Sequence, residues 1–169
     1  MKIVTSPSNQ DRRKRVEELR AEIARHPFMH GFSEAQIATM ADYAMEVQFS
    51  PGQLLFREGE MANRFYLLLE GEVTLEGRGN GHPAAVGVVG ANEVLGWSWL
   101  FPPYCWHFAA RATKPTRAIF FYGTWLREHC DSNPALGYEL IKRMAAVVIQ
   151  RLQTTREKLS ATLAEARQE

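Results

Sequence analysis

The sequence predicts a mainly β domain, a small antiparallel sandwich or jelly roll, with helices before it and a long helix after it. Three observations lead there. Short runs rich in Val, Leu, Phe and Tyr succeed one another from Gln53 to Gly123, and Gly59, Gly71, Gly77, Gly79, Gly81 and Gly90 punctuate them. Before Pro51-Gly52, apolar residues recur at helical spacing instead. After Gly137 no Gly or Pro interrupts the chain, and the helical spacing returns. The 169 residues, 46% of them hydrophobic, suit one such domain plus an appended helix. The expected partition is a helical extension over 1–25, a roll over 26–123 and C-terminal helices over 124–169.

Residues 11–25 read as a helix, with Val16, Leu19 and Ile23 on one stripe and charge elsewhere. Pro27 ends it. Ser33 opens a second helix over 33–47, SEAQIATMADYAMEV, and Gln36 three residues on completes a capping box. Its apolar stripe is Ile37, Met40, Ala41 and Ala44. The β-type runs then follow: QLLFRE, RFYLLLEG, EVTLEG, AAVGVVG and ARATKPTRAIFFYG. The turn cluster from Arg78 to Pro83 predicts an exposed hairpin tip.

Thr124 is expected to cap a short helix carrying Trp125, Leu126 and His129. Asn133-Pro134 starts the long one, with Pro in the favoured first turn. Along it Ile141, Ala145, Val148, Leu152, Thr155, Leu159, Thr162 and Ala166 recur at alternating steps of four and three. This is a heptad seam, and it predicts a homodimer through the C-terminal helix. The polar Thr155 and Thr162 predict a weaker distal half.

Composition narrows the function classes. A net charge of +1 gives no argument for nucleic acid, membrane or a polyanionic partner. The basic run Arg12-Arg13-Lys14-Arg15 is followed at once by Glu17 and Glu18, and reads as a solvated helix start. No apolar run reaches the roughly 18 residues of a membrane span. The N-terminus has no apolar signal-peptide core, so a cytoplasmic location is expected by default. Cys105 and Cys130 lack zinc spacing, and Cys105, among aromatics, is expected to be a buried inert thiol. No nucleophile elbow, P-loop or metalloprotease helix occurs, and Cys105 with His107 has no third orienting group, so no enzyme is expected.

The order helix, β-sandwich, long helix, together with three motifs, resembles the cyclic-nucleotide-binding domain found in Crp/Fnr-type regulators and the protein kinase A regulatory subunit. His26-Pro27-Phe28-Met29 with Phe32-Ser33 resembles the family's start. The segment from Ser50 to Glu60, SPGQLLFREGE, resembles its "xxGxxIFxxGD", and Arg64 to Val73, RFYLLLEGEV, resembles its "xxYFILxGxV". The resemblance covers roughly His26 to Leu152. It implies a β-roll whose phosphate-binding cassette runs through Leu95, Gly96, Trp97, Ser98, Trp99, Leu100, Trp106, His107 and Ala109.

In the family a short cassette helix presents N–H groups to the phosphate, an arginine pairs with it, and a glutamate accepts from the ribose hydroxyl. Here Leu95-Gly96 matches the family's "F-G", but Trp97 stands at the glutamate. Counting back from Ala109-Ala110-Arg111-Ala112 puts Trp106, or with a slip His107, at the arginine. A buried phosphate without its cation costs ~3–5 kcal/mol, which is ~2–4 decades of affinity. Cyclic AMP and cyclic GMP are therefore expected to bind weakly or not at all. The alternative is a true binder using Arg111, whose strand position normally faces away, or His107, mostly neutral at its reference pKa of about 6.5.

The replacement is aromatic: Trp97, Trp99, Phe101, Tyr104, Trp106 and Phe108. Indoles filling the vacated site are favoured; an unidentified small-molecule ligand or a docking patch for a partner protein stays open. Pro102-Pro103 stiffens the segment after the cassette helix. No cofactor or metal is expected: the histidines form no haem motif, and two cysteines rule out an iron–sulfur cluster. The chain stops at Glu169 while still helical, before any helix-turn-helix, so DNA binding by this chain alone is not expected.

Overall fold

The computed structural model describes residues 9–79 and 82–165. They divide into two compact units, Met1–Glu128 and His129–Glu169. In the first, α1 (Asn9–Arg25) leads through a single 3-10 turn, Pro27–Met29, to α2 (Glu34–Ala41). Eight strands follow: β1 (Ala44–Phe49), β2 (Leu54–Phe56), β3 (Arg64–Glu70), β4 (Glu72–Gly79), β5 (His82–Gly90), β6 (Val94–Leu95), β7 (Ala109–Ala112) and β8 (Thr116–Tyr122). Then come α3 (Gly123–Ser132) and α4 (Pro134–Glu165). The strands form two four-stranded antiparallel sheets, β1-β8-β3-β6 and β2-β7-β4-β5. This is the β-roll with flanking helices that the sequence predicts.

Each sheet turns alternate residues inward. Tyr66 and Leu68 of β3, Ala118 and Phe120 of β8, and Phe49 of β1 meet Leu55, Phe56, Val73, Val89, Ala110 and Ala112 from the opposite sheet. The other face of β3 is covered too: Phe65 lies 5.3 Å from Phe28 and 6.2 Å from Trp99, between ring centroids. A strand covered on both faces reads as a continuous apolar run, which is why RFYLLLE lacks clean alternation. Gly71 makes the tight link from β3 to β4 at φ +91°; a Cβ there would stand 2.4 Å from the Pro115 carbonyl oxygen.

Capping chemistry is as expected where the sequence carried it. Ser33 Oγ accepts from the Gln36 N–H at 3.2 Å, and Gln36 Oε1 accepts from the Ser33 N–H at 2.9 Å. Asn133 Oδ1 accepts from the Leu136 N–H at 3.2 Å and caps α4. Three boundaries differ. The second helix stops at Ala41, and Ala44–Phe49 is strand β1, because every residue of that segment pairs with β8. Helix α3 starts at Gly123, one residue before Thr124, whose hydroxyl instead accepts from Arg127. The run ARATKPTRAIFFYG is two strands, broken at Thr113–Pro115. The hairpin predicted over 78–83 has its strands paired up to Gly79 and His82, while Asn80 and Gly81 lie outside the described residues.

In the second unit, α4 carries two apolar stripes. Leu136, Leu140 and Met144 are buried. Ile141, Ala145, Val148, Leu152 and Leu159 are exposed, as are Thr155 and Thr162, while Ala166 lies outside the described residues. No helix among the described residues is long and apolar enough to cross a membrane.

Candidate ligand site in the roll

Glycine decides where the cassette begins. Gly96 follows β6 at φ +89°, and a Cβ there would meet the Trp106 indole at 2.9 Å and the Arg64 carbonyl oxygen at 3.0 Å. No helix follows it. The chain makes a turn, with the Leu100 N–H donating to the Trp97 carbonyl at 3.0 Å, and then a second turn from Phe101 to Tyr104. The expected cassette helix is thus replaced by turns. The Pro102–Pro103 bond is cis.

The second half of the segment is pinned to the loop after β2. The Trp106 N–H donates to Glu60 O at 2.9 Å, the Gly59 N–H to Trp106 O at 2.8 Å, and the Ala62 N–H to Tyr104 O at 2.6 Å. That seating drives the Trp106 side chain inward. It is 4% exposed and lies 3.8 Å from the Phe56 ring, only 12° from parallel. Trp106 is a member of the roll's interior core, beside Leu95 and against Gly96. Of the two residues that the count from Ala109 sets at the arginine, Trp106 is thus an indole packed as core.

The other candidates disperse. Trp97 is half-buried and stacks on the exposed His107, 5.7 Å between ring centroids. It is not the core plug that the aromatic substitution predicts for it. Trp99 is fully buried, but against Phe65 and Gly123 on the opposite face of β3. Ser98 is buried, Leu100 and Ala109 partly so. Leu95 ends β6 and Gly96 follows it. Arg111 alternates outward between the buried Ala110 and Ala112; it donates to Glu76 at 2.7 Å and to Gly52 O at 2.8 Å. His107 is on the surface. Neither of the two alternative cations points into the roll.

The thiols differ from expectation in one respect. Cys105 is only partly buried, and its Sγ reaches Pro103 O at 3.5 Å. Burial and Asp131 push the Cys130 thiol up to about 11, which keeps it protonated and inert. Among the described residues no group of three His, Cys, Asp or Glu side chains is placed to hold a metal.

Two further groups carry polar function that the residue pattern did not single out. Arg127 of α3 donates to the Trp99 carbonyl and lies 4.4 Å over the Tyr104 ring, so one side chain ties both cassette turns to the helix. Arg64 opens β3 on the interior face with its Nε buried and unpartnered. Its phase with Tyr66 and Leu68, read from RFYLLLE, is the signal that would have found it. Both the ≈ 530 Å³ groove between α1 and β1 and the ≈ 380 Å³ groove beside Pro115 lie outside the roll.

Known proteins share this fold. The family profile for the cyclic nucleotide-binding domain matches residues 46–133. A putative cyclic nucleotide-binding protein from Geobacter metallireducens GS-15 is 34% identical, with 80% of this chain and 96% of that one covered and a TM-score of 0.71. A CRP-like cAMP-activated global transcriptional regulator of Mycobacterium tuberculosis is 24% identical over 139 residues; these are 82% of this chain and 60% of that protein. The regulatory subunit of a cAMP-independent protein kinase A from Trypanosoma brucei, solved as a triple mutant with cAMP in its A site, shares the fold. It has 22% identity and a TM-score of 0.71, and covers 86% of this chain and 52% of that one.

Proposed function

The chain belongs to the cyclic-nucleotide-binding domain family, and we propose that it is a non-catalytic regulatory domain that does not hold cyclic AMP or cyclic GMP in the usual way. One observation carries this reading: Trp106, which the count from Ala109 sets at the family's arginine, is packed flat on Phe56 in the interior core. A cyclic phosphate seated by Gly96 would collide with the indole and leave its charge unpaired. The trypanosome kinase subunit offers a parallel: the form captured with cyclic AMP carries three substitutions, one of them threonine to arginine.

The output side uses α3 and α4. Arg127 bonds the Trp99 carbonyl and covers Tyr104, so a shift of the cassette turns pulls directly on α3. The exposed stripe Ile141, Ala145, Val148, Leu152 and Leu159 pairs with its copy in a homodimer. A second reading has a permanently filled roll and a docking role. It is favoured by Phe101 and Met61, both exposed, with Met61 bridged to the cassette at Cys105.

Calorimetry with cyclic AMP and cyclic GMP tests the main reading. Losing ~3–5 kcal/mol moves an ordinary micromolar site to weaker than about 1 mM. Micromolar binding to the unmodified chain would refute it.

A further inference from the structure

Three buried side-chain atoms among the described residues have no hydrogen-bond partner: Arg64 Nε, the Tyr66 hydroxyl and Trp99 Nε1. Trp99 lies behind β3, away from the roll interior. The other two are neighbours inside it. Strand alternation puts Arg64 and Tyr66 on one face, and Tyr66, 1% exposed, belongs to the interior core. The Arg64 guanidinium carbon lies 5.0 Å from the centre of the Phe120 ring, itself 6.0 Å from the Tyr66 ring. Burial pushes the Tyr66 phenol up, and the adjacent Arg64 guanidinium opposes that, by hydrogen bonding to the phenol oxygen and then by its charge, so that the phenol hydrogen is the group still lacking an acceptor. Among the described residues no carboxylate forms an ion pair with Arg64.

Buried polar groups without partners are rare, because each costs ~1–3 kcal/mol. These two share one deficiency. Nε–H is purely a donor, and a phenol whose oxygen faces a guanidinium has its own hydrogen left to give. The site holds donors and a positive charge, and it lacks an acceptor.

We propose that Arg64 and Tyr66 bind the carboxylate of a small organic acid, one oxygen accepting from Arg64 Nε–H and the other from the Tyr66 hydroxyl. The proposal rests on the reading above, in which the roll is a sensing site without its cassette cation, and supplies a cation from a different strand. A carboxylate matches because it brings one negative charge and two coplanar acceptors to one charge and two donors. A phosphate brings more oxygens than there are donors, and Trp106 fills the space beside Gly96 that it would need. Arg64 is the first residue of β3 and only partly buried, so the pair lies at the end of the strand, with Nε itself shielded. Phe120 and Tyr66 form flat apolar walls, which favour an aromatic or planar body on the acid.

Sodium benzoate is the probe, titrated by calorimetry and thermal shift into the whole chain, with sodium chloride at matched ionic strength as control. The expected result is saturable binding with a rise in Tm that chloride does not reproduce. Arg64→Gln should weaken it at least about tenfold, and Tyr66→Phe several-fold. Tyr66→Phe keeps the ring and removes only an unpartnered hydroxyl, so it folds. Absence of saturable binding, an equal shift with chloride, or binding retained in both variants would each overturn the carboxylate site. Cyclic AMP is titrated in parallel. Silence from both ligands ends this inference alone, whereas micromolar cyclic AMP binding ends the reading of the roll beneath it.

Discussion

Replacing Trp106 with alanine tests whether the roll is filled by its own side chain. The substitution deletes an indole that is 4% exposed, stacked on Phe56 at 3.8 Å and pressed against Gly96. Core truncations of this size cost ~3–5 kcal/mol, part of it lost transfer energy and part the void left behind. In a 169-residue chain each kcal/mol moves Tm by about 2–4 °C, so the expected drop is roughly 6–20 °C. Trp97→Ala is the matched control. Trp97 is half-buried and its main ring contact is the exposed His107, a pair worth ~0.5–1.5 kcal/mol. Urea unfolding followed by far-ultraviolet circular dichroism reads both variants without relying on indole fluorescence. Free indole should refill the void and recover part of the lost Tm in Trp106→Ala only. A cost for Trp106→Ala below about 1 kcal/mol, or equal to that of Trp97→Ala, would refute the core assignment.

Three more outcomes are expected. His26 is buried, its Nδ1 accepts from the Phe28 N–H and its Nε2 meets Leu68 O at 3.3 Å; burial holds its pKa below the usual value. The unfolded chain therefore takes up this proton more readily, so stability is full above about pH 6.5 and falls as pH drops through the folded-state pKa. Urea midpoints between neutral and mildly acid pH should show a shallower slope in His26→Gln than in the parent. Arg117 ties α1 to the sheet by contacting Glu22 at 2.8 Å, Glu46 at 3.1 Å and Glu70 at 3.2 Å, with its side chain 27% exposed. Arg117→Gln should cost about 1 kcal/mol at low salt and less at high salt, measured by paired urea melts; a salt-independent loss would contradict an ionic role. The homodimer proposed through α4 predicts a sedimenting mass of two chains for the parent and of one for Val148→Glu with Leu152→Glu, with helix content held; a single-chain parent or an unchanged mass would reject the seam as a dimer contact.

Much of the fold was legible because it depends on local chemistry. Ser33 and Gln36 cap each other across three residues, and Asn133-Pro134 opens α4, whatever the rest of the chain does. The glycines at 71 and 96 mark turns that only a residue without a Cβ fits. Strand β1 was missed because Ala44 and Val47 continue the helical spacing of Ile37 and Met40; six paired positions on β8, about 70 residues away, outweigh that spacing. Arg64 was passed over because β3 is covered on both faces, which hides the alternation that puts a charged residue inside.

The cassette divides along the same line. By itself the sequence determined that Trp97, Trp99, Trp106 and three further aromatic residues crowd the segment from Trp97 to Phe108, since identity and spacing suffice for that. Only the tertiary structure decided that Trp106 enters the roll, Trp99 packs behind β3 and Trp97 rests on the surface with His107. Those three indoles stand on turns without a repeating period, so no spacing rule assigns them a side. The direction of Trp106 follows from the bonds of its own backbone and that of Tyr104 to Glu60, Gly59 and Ala62, more than 40 residues earlier in the chain, and such contacts exist only once both sheets have closed.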